Sequence, residues 1–229
     1  MSDVLIDVRN LTFRYPDGTR ALRDVSFELR RSETVAILGP NGSGKTTFLN
    51  HLVGLLRGEG SVTVCGMPVE DSNLAAIRQR VGLIFQDSDD QIFMPTIEED
   101  VAFGPLNMGL DPTVVKERVD KCLARVGLNG QRTKPPHQLS AGERRRAALA
   151  GILAMDPEII LLDEPATFLD PPAKQALVQT LRGLPQAKIL VTHEVGLATA
   201  LASRAAFFDG GQIVAEGAVG ELADRFRWR

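Results

Sequence analysis

TVAILGPNGSGKTTFLNHLVGLL, residues 34–56, decides the fold. A short aliphatic run ending at Leu38 predicts a buried strand, GPNGSGKT at 39–46 predicts a tight glycine-rich turn, and TTFLNHLVGLL predicts an apolar helix ended by Gly58 and Gly60. The turn satisfies G-x-x-x-x-G-K-[ST] between a strand and a helix, the context in which that spacing has a mechanism. Glycines let backbone N–H groups turn toward phosphate oxygens, and the following helix adds the positive end of its dipole. Lys45 then reaches the terminal phosphates and Thr46 can ligate Mg²⁺. The implied ligand is a nucleoside triphosphate. A plain glycine-rich turn with an exposed lysine would not require these flanks.

Working outward, Val4, Ile6, Val8, Leu11 and Phe13, then Val25, Phe27 and Leu29, alternate with polar residues around a PDG turn at 16–18. This predicts a small antiparallel β-layer. Residues 61–71 return to strand character, SNLAAIRQR suggests a short helix, and VGLIFQ at 81–86 a buried strand. Apolar Val115, Val119, Cys122, Leu123 and Val126 then recur at helical spacing, ahead of a helix opened by Ser140. Strands resume at EIILLD (158–163) and AKILVTH (187–193), with a helix over 172–183 between them and a closing hairpin around Gly210 and Gly211. Alternating strands and helices imply an α/β chain with a parallel sheet. The expected division is a nucleotide-binding core with its β-layer over 1–87 and 156–229, and an inserted helical lobe over 88–155.

Composition narrows the class. The 229 residues are 44% hydrophobic and 24% charged, which excludes disordered and fibrous chains. Lys and Arg total 26 against 29 Asp and Glu, a formal net charge of −3, so no strong basic field favours nucleic acid as a partner. Cys65 and Cys122 have no ligand-spaced neighbours and read as reduced, cytosolic residues. Apolar stretches such as AALAGILAM at 147–155 are too short to span a bilayer, so attachment to a membrane requires a separate partner.

Two further motifs carry chemistry. IILLDE at 159–164 places Asp163 and Glu164 at the C-terminal tip of a buried strand, where ligands bind in such sheets. Beside a phosphate loop, Asp163 would hold Mg²⁺ and Glu164 would polarise a water attacking the γ-phosphate; alone, the pair could be a strand leaving for solvent. LSAGE at 139–143 contains S-x-x-E, a capping box that structure alone could explain. With the loop at 39–46 before it and Asp163-Glu164 after it, however, the pentapeptide resembles the signature of the ATP-binding cassette (ABC) ATPases.

The resemblance covers essentially the whole chain. It implies an ABC ATPase fold with a RecA-like parallel-sheet core, an N-terminal antiparallel β-layer and an inserted helical lobe. It also implies ATP and Mg²⁺ as ligands, with Gly39, Pro40, Asn41, Gly42, Ser43, Gly44, Lys45, Thr46 and Thr47 cradling phosphates and Thr46, Gln86 and Asp163 serving the metal. By the same resemblance Tyr15 stacks on adenine, Gln86 senses Mg²⁺ and γ-phosphate, His193 is the switch histidine, and Asp170 couples the two sites of a dimer. Tyr15 as a core aromatic and Gln86 as a surface residue are the plainer alternatives; His51 and His137 read as structural. The family assembles as a head-to-tail homodimer, in which Ser140 and Gly142 meet the nucleotide on the other subunit.

After Gln86, DSDDQIFMPTIEEDVAFGPLNMGL is similar to the ATPases of energy-coupling factor importers and related cobalt and nickel uptake systems. This implies an integral membrane scaffold with substrate-binding membrane subunits, and a place at the cytoplasmic face of the inner membrane. Asp89, Asp90, Gln91 and Phe93 become candidate scaffold contacts, or members of a solvated acidic loop. Cobalt leads as the implied substrate, followed by nickel and biotin or another vitamin. The chain departs from the family at Ala141 and Glu143 in the signature, at Ala166, where threonine is usual, and at Phe168, where a small residue is common. Dimer coupling is more exposed to these changes than nucleotide binding. The short segment after the 207–217 hairpin also leads to the expectation that no C-terminal dimerisation domain is present.

Overall fold

In a computed structural model the chain is described over residues 3–85 and 91–228. The strands are β1 (Val4–Arg14), β2 (Arg20–Arg30), β3 (Thr34–Leu38), β4 (Glu59–Val64), β5 (Met67–Pro68), β6 (Val81–Ile84), β7 (Ile159–Asp163), β8 (Ala187–Val191), β9 (Arg204–Asp209) and β10 (Gln212–Gly217). The α-helices are α1 (Lys45–Leu52), α2 (Leu74–Arg80), α3 (Ile97–Asn107), α4 (Pro112–Arg125), α5 (Ala141–Ala154), α6 (Pro171–Arg182), α7 (Val195–Leu201) and α8 (Val219–Arg225). They fall into two compact units, one of Met1–Val81, Glu158–Glu164 and Pro185–Arg229, the other of Gly82–Pro157 and Pro165–Leu184. The lobe expected over 88–155 lies within the second unit, which also takes in α6.

The first unit holds the antiparallel layer in the order β2-β1-β4-β5. Val8 pairs with Phe27 and Leu11 with Val25, so the alternating apolar residues of β1 and β2 share one buried face. Its other sheet runs β10-β9-β3-β8-β7, with β9, β3, β8 and β7 mutually parallel. Every residue of β7 and β8 is buried, as an aliphatic strand covered on both faces requires. The register sets Ile37 beside Val191 and Val191 beside Asp163. The loops leaving β3, β7 and β8 therefore emerge together at one edge, and the candidate chemistry is carried on those loops.

Helix α1 ends earlier than the apolar pattern suggested. Gly54, at φ 65°, occupies the left-handed position after the Val53 C-cap. Its N–H donates to the His51 carbonyl (3.2 Å) and that of Leu55 to the Asn50 carbonyl (2.9 Å). This is the paired bonding of a Schellman ending, so Gly54 rather than Gly58 stops the helix. The hairpin joining β9 to β10 turns where expected, with Gly210 and Gly211 at φ 53° and 82°, angles that suit a two-residue primed turn.

The second unit packs α3, α4 and α5 together. Val115, Val119, Cys122 and Leu123 form the buried stripe of α4 foreseen from their spacing. Gly82 on β6 lets the strand lie directly on α5, because a Cβ there would sit 1.9 Å from Ile152 Cγ2. Helices α7 and α8 had no clear signal in the sequence. VGLATAL is only seven residues long and Glu194 makes no side-chain cap bond to it, so α7 is held instead by Ala198, which packs in a cluster with Leu38, Phe207, Val219 and Leu222. Among the described residues no helix is long and apolar enough to cross a membrane.

Candidate active site

The phosphate loop is shaped by close backbone approaches. Gly39 lies at φ 137°, and a Cβ there would fall 2.0 Å from the Phe208 carbonyl oxygen, so any other residue would displace the β9 strand. Gly44, at φ 102°, is the N-cap of α1 and brings no side chain to its first turn, which leaves the helix N-terminus for an external acceptor. The Gly211 N–H from the β9–β10 hairpin donates to the Ser43 carbonyl (3.1 Å), bracing the loop from outside. Pro40 is half-buried while Asn41 and Gly42 form an exposed crest.

Lys45 is only 7% exposed, and its Nζ donates to the Gly39 (2.8 Å) and Pro40 (2.9 Å) carbonyls. Burial pushes its pKa below the usual lysine value, and the nearby Glu164 and Asp163 carboxylates oppose that shift. The buried Ser43 Oγ has no hydrogen-bond partner among the described residues, a polar group in the loop able to serve a ligand. Thr47 Oγ1 lies 3.0 Å from the Tyr15 hydroxyl. The Tyr15 ring meets Phe13 edge-on at 4.9 Å, so the residue expected to stack on adenine is fastened by its hydroxyl beside the loop with its ring half-buried.

The parallel register brings the acids to this loop. Thr46 Oγ1 donates to Asp163 Oδ2 at 2.7 Å, although 117 positions separate them. A hydroxyl and a carboxylate oxygen this close form a hard-oxygen donor set of the kind Mg²⁺ prefers, so the residues present fit the ion. Glu164 follows at φ 46°, an uncommon conformation for a residue with a Cβ, with its N–H held by the Val191 carbonyl (3.0 Å). This bend turns the carboxylate toward His193: Glu164 Oε2 accepts from His193 Nδ1 (2.9 Å) and from the His193 N–H (3.4 Å). Asp163, Glu164 and His193 thus join Lys45 and Thr46 at one edge of the sheet.

The second unit carries the signature residues. Ser140 caps α5, its Oγ accepting from the Glu143 N–H (3.2 Å) while Glu143 Oε2 accepts from the Ser140 N–H (2.8 Å). The latter bond holds the Glu143 carboxyl below its usual range. The departure at Glu143 therefore completes a capping box. Removing the cap by Ser140→Ala is expected to cost about 1 kcal/mol, seen as a fall of about 2–4 °C in the thermal midpoint. Asp170 caps α6 through its Oδ1, which accepts from the Ala173 N–H (2.8 Å). Ser140, Gly142, Arg146, Phe168 and Asp170 line one cleft of about 480 Å³. Phe168 stands 89% exposed at φ 65° on its rim, and Ala166 is buried.

Gln86, Asp89 and Asp90 lie outside the described residues. Sequence reading passed over Arg145, buried on α5, whose guanidinium donates to the carbonyl of Phe85, the residue before Gln86. Its position among three consecutive arginines gave no reason to single it out. Gln91, expected at a partner surface, instead ties its own loop together: Nε2 donates to the Leu83 carbonyl (2.9 Å) and Oε1 accepts from the Phe85 N–H (3.3 Å). Phe93 does face outward, 63% exposed, with its ring edge-on to Phe103 at 4.9 Å and its N–H held by Asp100 Oδ1 (3.0 Å).

Comparison with known proteins identifies the family and the fold. The family described as ABC transporter matches residues 22–167. The energy-coupling factor transporter ATP-binding protein EcfA of Methanothermobacter thermautotrophicus is 46% identical over 219 residues, spanning 93% of this chain and 70% of the relative. The solved structure of CbiO1 from Clostridium perfringens, described as part of the ABC transporter complex CbiONQ, superposes with a TM-score of 0.88 at 32% identity, covering 98% of this chain and 92% of that one. The ATP-binding cassette MJ0796, solved as a post-hydrolysis dimer with ADP and Pi, gives a TM-score of 0.85 at 29% identity, covering 94% and 99%.

Proposed function

The chain belongs to the ABC transporter family, and we propose from that premise that it is the ATP-hydrolysing subunit of an energy-coupling factor importer. The observation carrying this is the convergence of Lys45, Thr46, Asp163, Glu164 and His193 at one edge of the parallel sheet. The subunit works as a head-to-tail homodimer at the cytoplasmic face of the inner membrane, docked on an integral scaffold with substrate-binding membrane subunits. Similarity to CbiO1 and EcfA supports that setting, and cobalt ion is its leading substrate, followed by nickel and biotin or another vitamin.

In this reading ATP lays its phosphates along residues 39–47, where backbone N–H groups and Lys45 neutralise them. Thr46 and Asp163, with Gln86, would hold Mg²⁺, whose positive charge offsets the charge that develops on the β- and γ-phosphate oxygens. The Glu164 carboxylate orients a water and accepts its proton as the water oxygen bonds to the γ-phosphorus. The bond to the bridging oxygen breaks in line, leaving ADP and inorganic phosphate. Because a carboxylate can only accept, the 2.9 Å contact assigns the Nδ1 proton to His193 and directs its other ring nitrogen elsewhere, toward the phosphate in this mechanism. Ser140 and Gly142 of the second subunit close the site, with the Ser140-capped N-terminus of α5 aimed at the γ-phosphate.

Phe93, Phe103 and Leu106 are exposed large apolar side chains of the second unit, and they supply an aromatic anchor for a scaffold helix. Phe93→Ala is expected to lower uptake at least about tenfold while ATPase activity of the isolated chain is retained; unchanged uptake would remove Phe93 from the docking surface. The transported substrate is tested by following labelled cobalt, nickel and biotin in source cells carrying either the normal chain or Glu164→Gln. Loss of cobalt uptake alone identifies a cobalt importer, loss of biotin or several vitamins a vitamin or shared system, and no loss at all defeats the importer reading.

A further inference from the structure

Trp228 lies beyond α8, far in sequence from every motif, yet its indole Nε1–H donates to the backbone carbonyl of His193 at 3.2 Å. We propose that Trp228 is a positioning residue for His193, holding the histidine-bearing peptide in place while its ring engages phosphate. The inference rests on the hydrolytic reading above.

The indole has a donor and no acceptor, so a half-buried tryptophan needs a carbonyl or a water for its N–H. The carbonyl it finds belongs to the histidine whose N–H and Nδ1 both engage Glu164. The peptide groups on the two sides of the His193 Cα are thus gripped from different directions, by a carboxylate at the N–H and by an indole at the carbonyl. This double hold fixes the backbone orientation from which the side chain departs.

The anchor itself is packed. The Trp228 ring packs edge-on against Phe207 (5.6 Å, 86°), and Phe207 is stacked face to face on Phe226 (3.9 Å, 9°). Phe207 sits on β9 in register with Leu38, the residue before the phosphate loop, and both belong to the cluster closed by Ala198, Val219 and Leu222. The aromatic stack therefore ties the His193 carbonyl to the same strands that carry Gly39.

Trp228 is the only tryptophan of the chain, so its emission reports its own surroundings. Adding MgATP to Glu164→Gln is expected to shift that emission, and the same chain carrying His193→Ala is expected to show no shift. Trp228→Phe keeps an aromatic ring against Phe207 and deletes the N–H; it should lower kcat about three- to tenfold, the effect of one neutral hydrogen bond, at unchanged KM for ATP and with the thermal midpoint lowered by no more than about 4 °C. Emission indifferent to MgATP, or a shift that survives His193→Ala, overturns the proposal. So does an unaltered kcat in Trp228→Phe, or a change of KM together with a fall in the thermal midpoint well beyond about 4 °C, which marks a merely structural role. If Glu164→Gln hydrolyses ATP normally, it is the underlying catalytic assignment that fails.

Discussion

Glu164→Gln is expected to slow phosphate release by about 10²–10⁴-fold while ATP binding persists, because the amide keeps the shape of the side chain and cannot accept a proton from water. The position is already built for one task. Its φ of 46° costs backbone energy, the Val191 carbonyl fixes its N–H, and the bend places the carboxylate 2.9 Å from His193 Nδ1. The hydrogen bonds of the phosphate loop come from elsewhere: Lys45 is held by the Gly39 and Pro40 carbonyls, and Thr46 by Asp163. Removing an anion whose field reaches Lys45 should leave nucleotide affinity equal or higher. ATP would then persist between subunits, so light scattering should find a dimer in MgATP. Steady-state phosphate release and equilibrium ATP binding separate the roles. Turnover within a factor of about two of the normal chain, well short of what a proton acceptor contributes, would strip Glu164 of the base assignment, and a mutant that stays monomeric with ATP bound would defeat the composite site.

How much of this was legible in the sequence follows from where each cause resides. The loop at 39–46 was readable because strand, glycines, lysine and helix are contiguous, and the physics of each is local. The Thr46–Asp163 contact was readable one step further, since both end a strand or begin a helix at the tips of a parallel sheet. The end of α1 was misplaced because Gly54 sits inside an apolar run, where periodicity masks a left-handed stop. Tyr15 was readable as an aromatic near the site, but its hydroxyl contact with Thr47 required the β1–α1 packing to be known. Helices α7 and α8, and the reach of Trp228 to His193, arise from packing around Phe207 across distant segments; no local pattern encodes them.

Lys45→Met is expected to weaken ATP binding at least about 100-fold, the loss of two or more charge-assisted hydrogen bonds at about 1.5 kcal/mol each. Methionine retains the apolar stem, so the substitution isolates the ammonium from the volume it fills. The ammonium has a second role on the page: its Nζ donates to the Gly39 and Pro40 carbonyls at 2.8 and 2.9 Å, and deleting it leaves both acceptors in a partly buried loop. Folding should therefore lose about 1–3 kcal/mol as well. The two losses have different signatures. A loop that merely loosens would lower the thermal midpoint and recover binding at low temperature, whereas a missing phosphate cation leaves affinity poor wherever the chain is folded. Calorimetric titration with ATP below the variant's transition decides between them. Burial already disfavours the charged form of Lys45, and the Glu164 and Asp163 carboxylates oppose that shift; a triphosphate would add anionic charge on the same side. Affinity unchanged in Lys45→Met would mean that backbone N–H groups alone bind the phosphates, and the lysine would be left as a brace for its own loop.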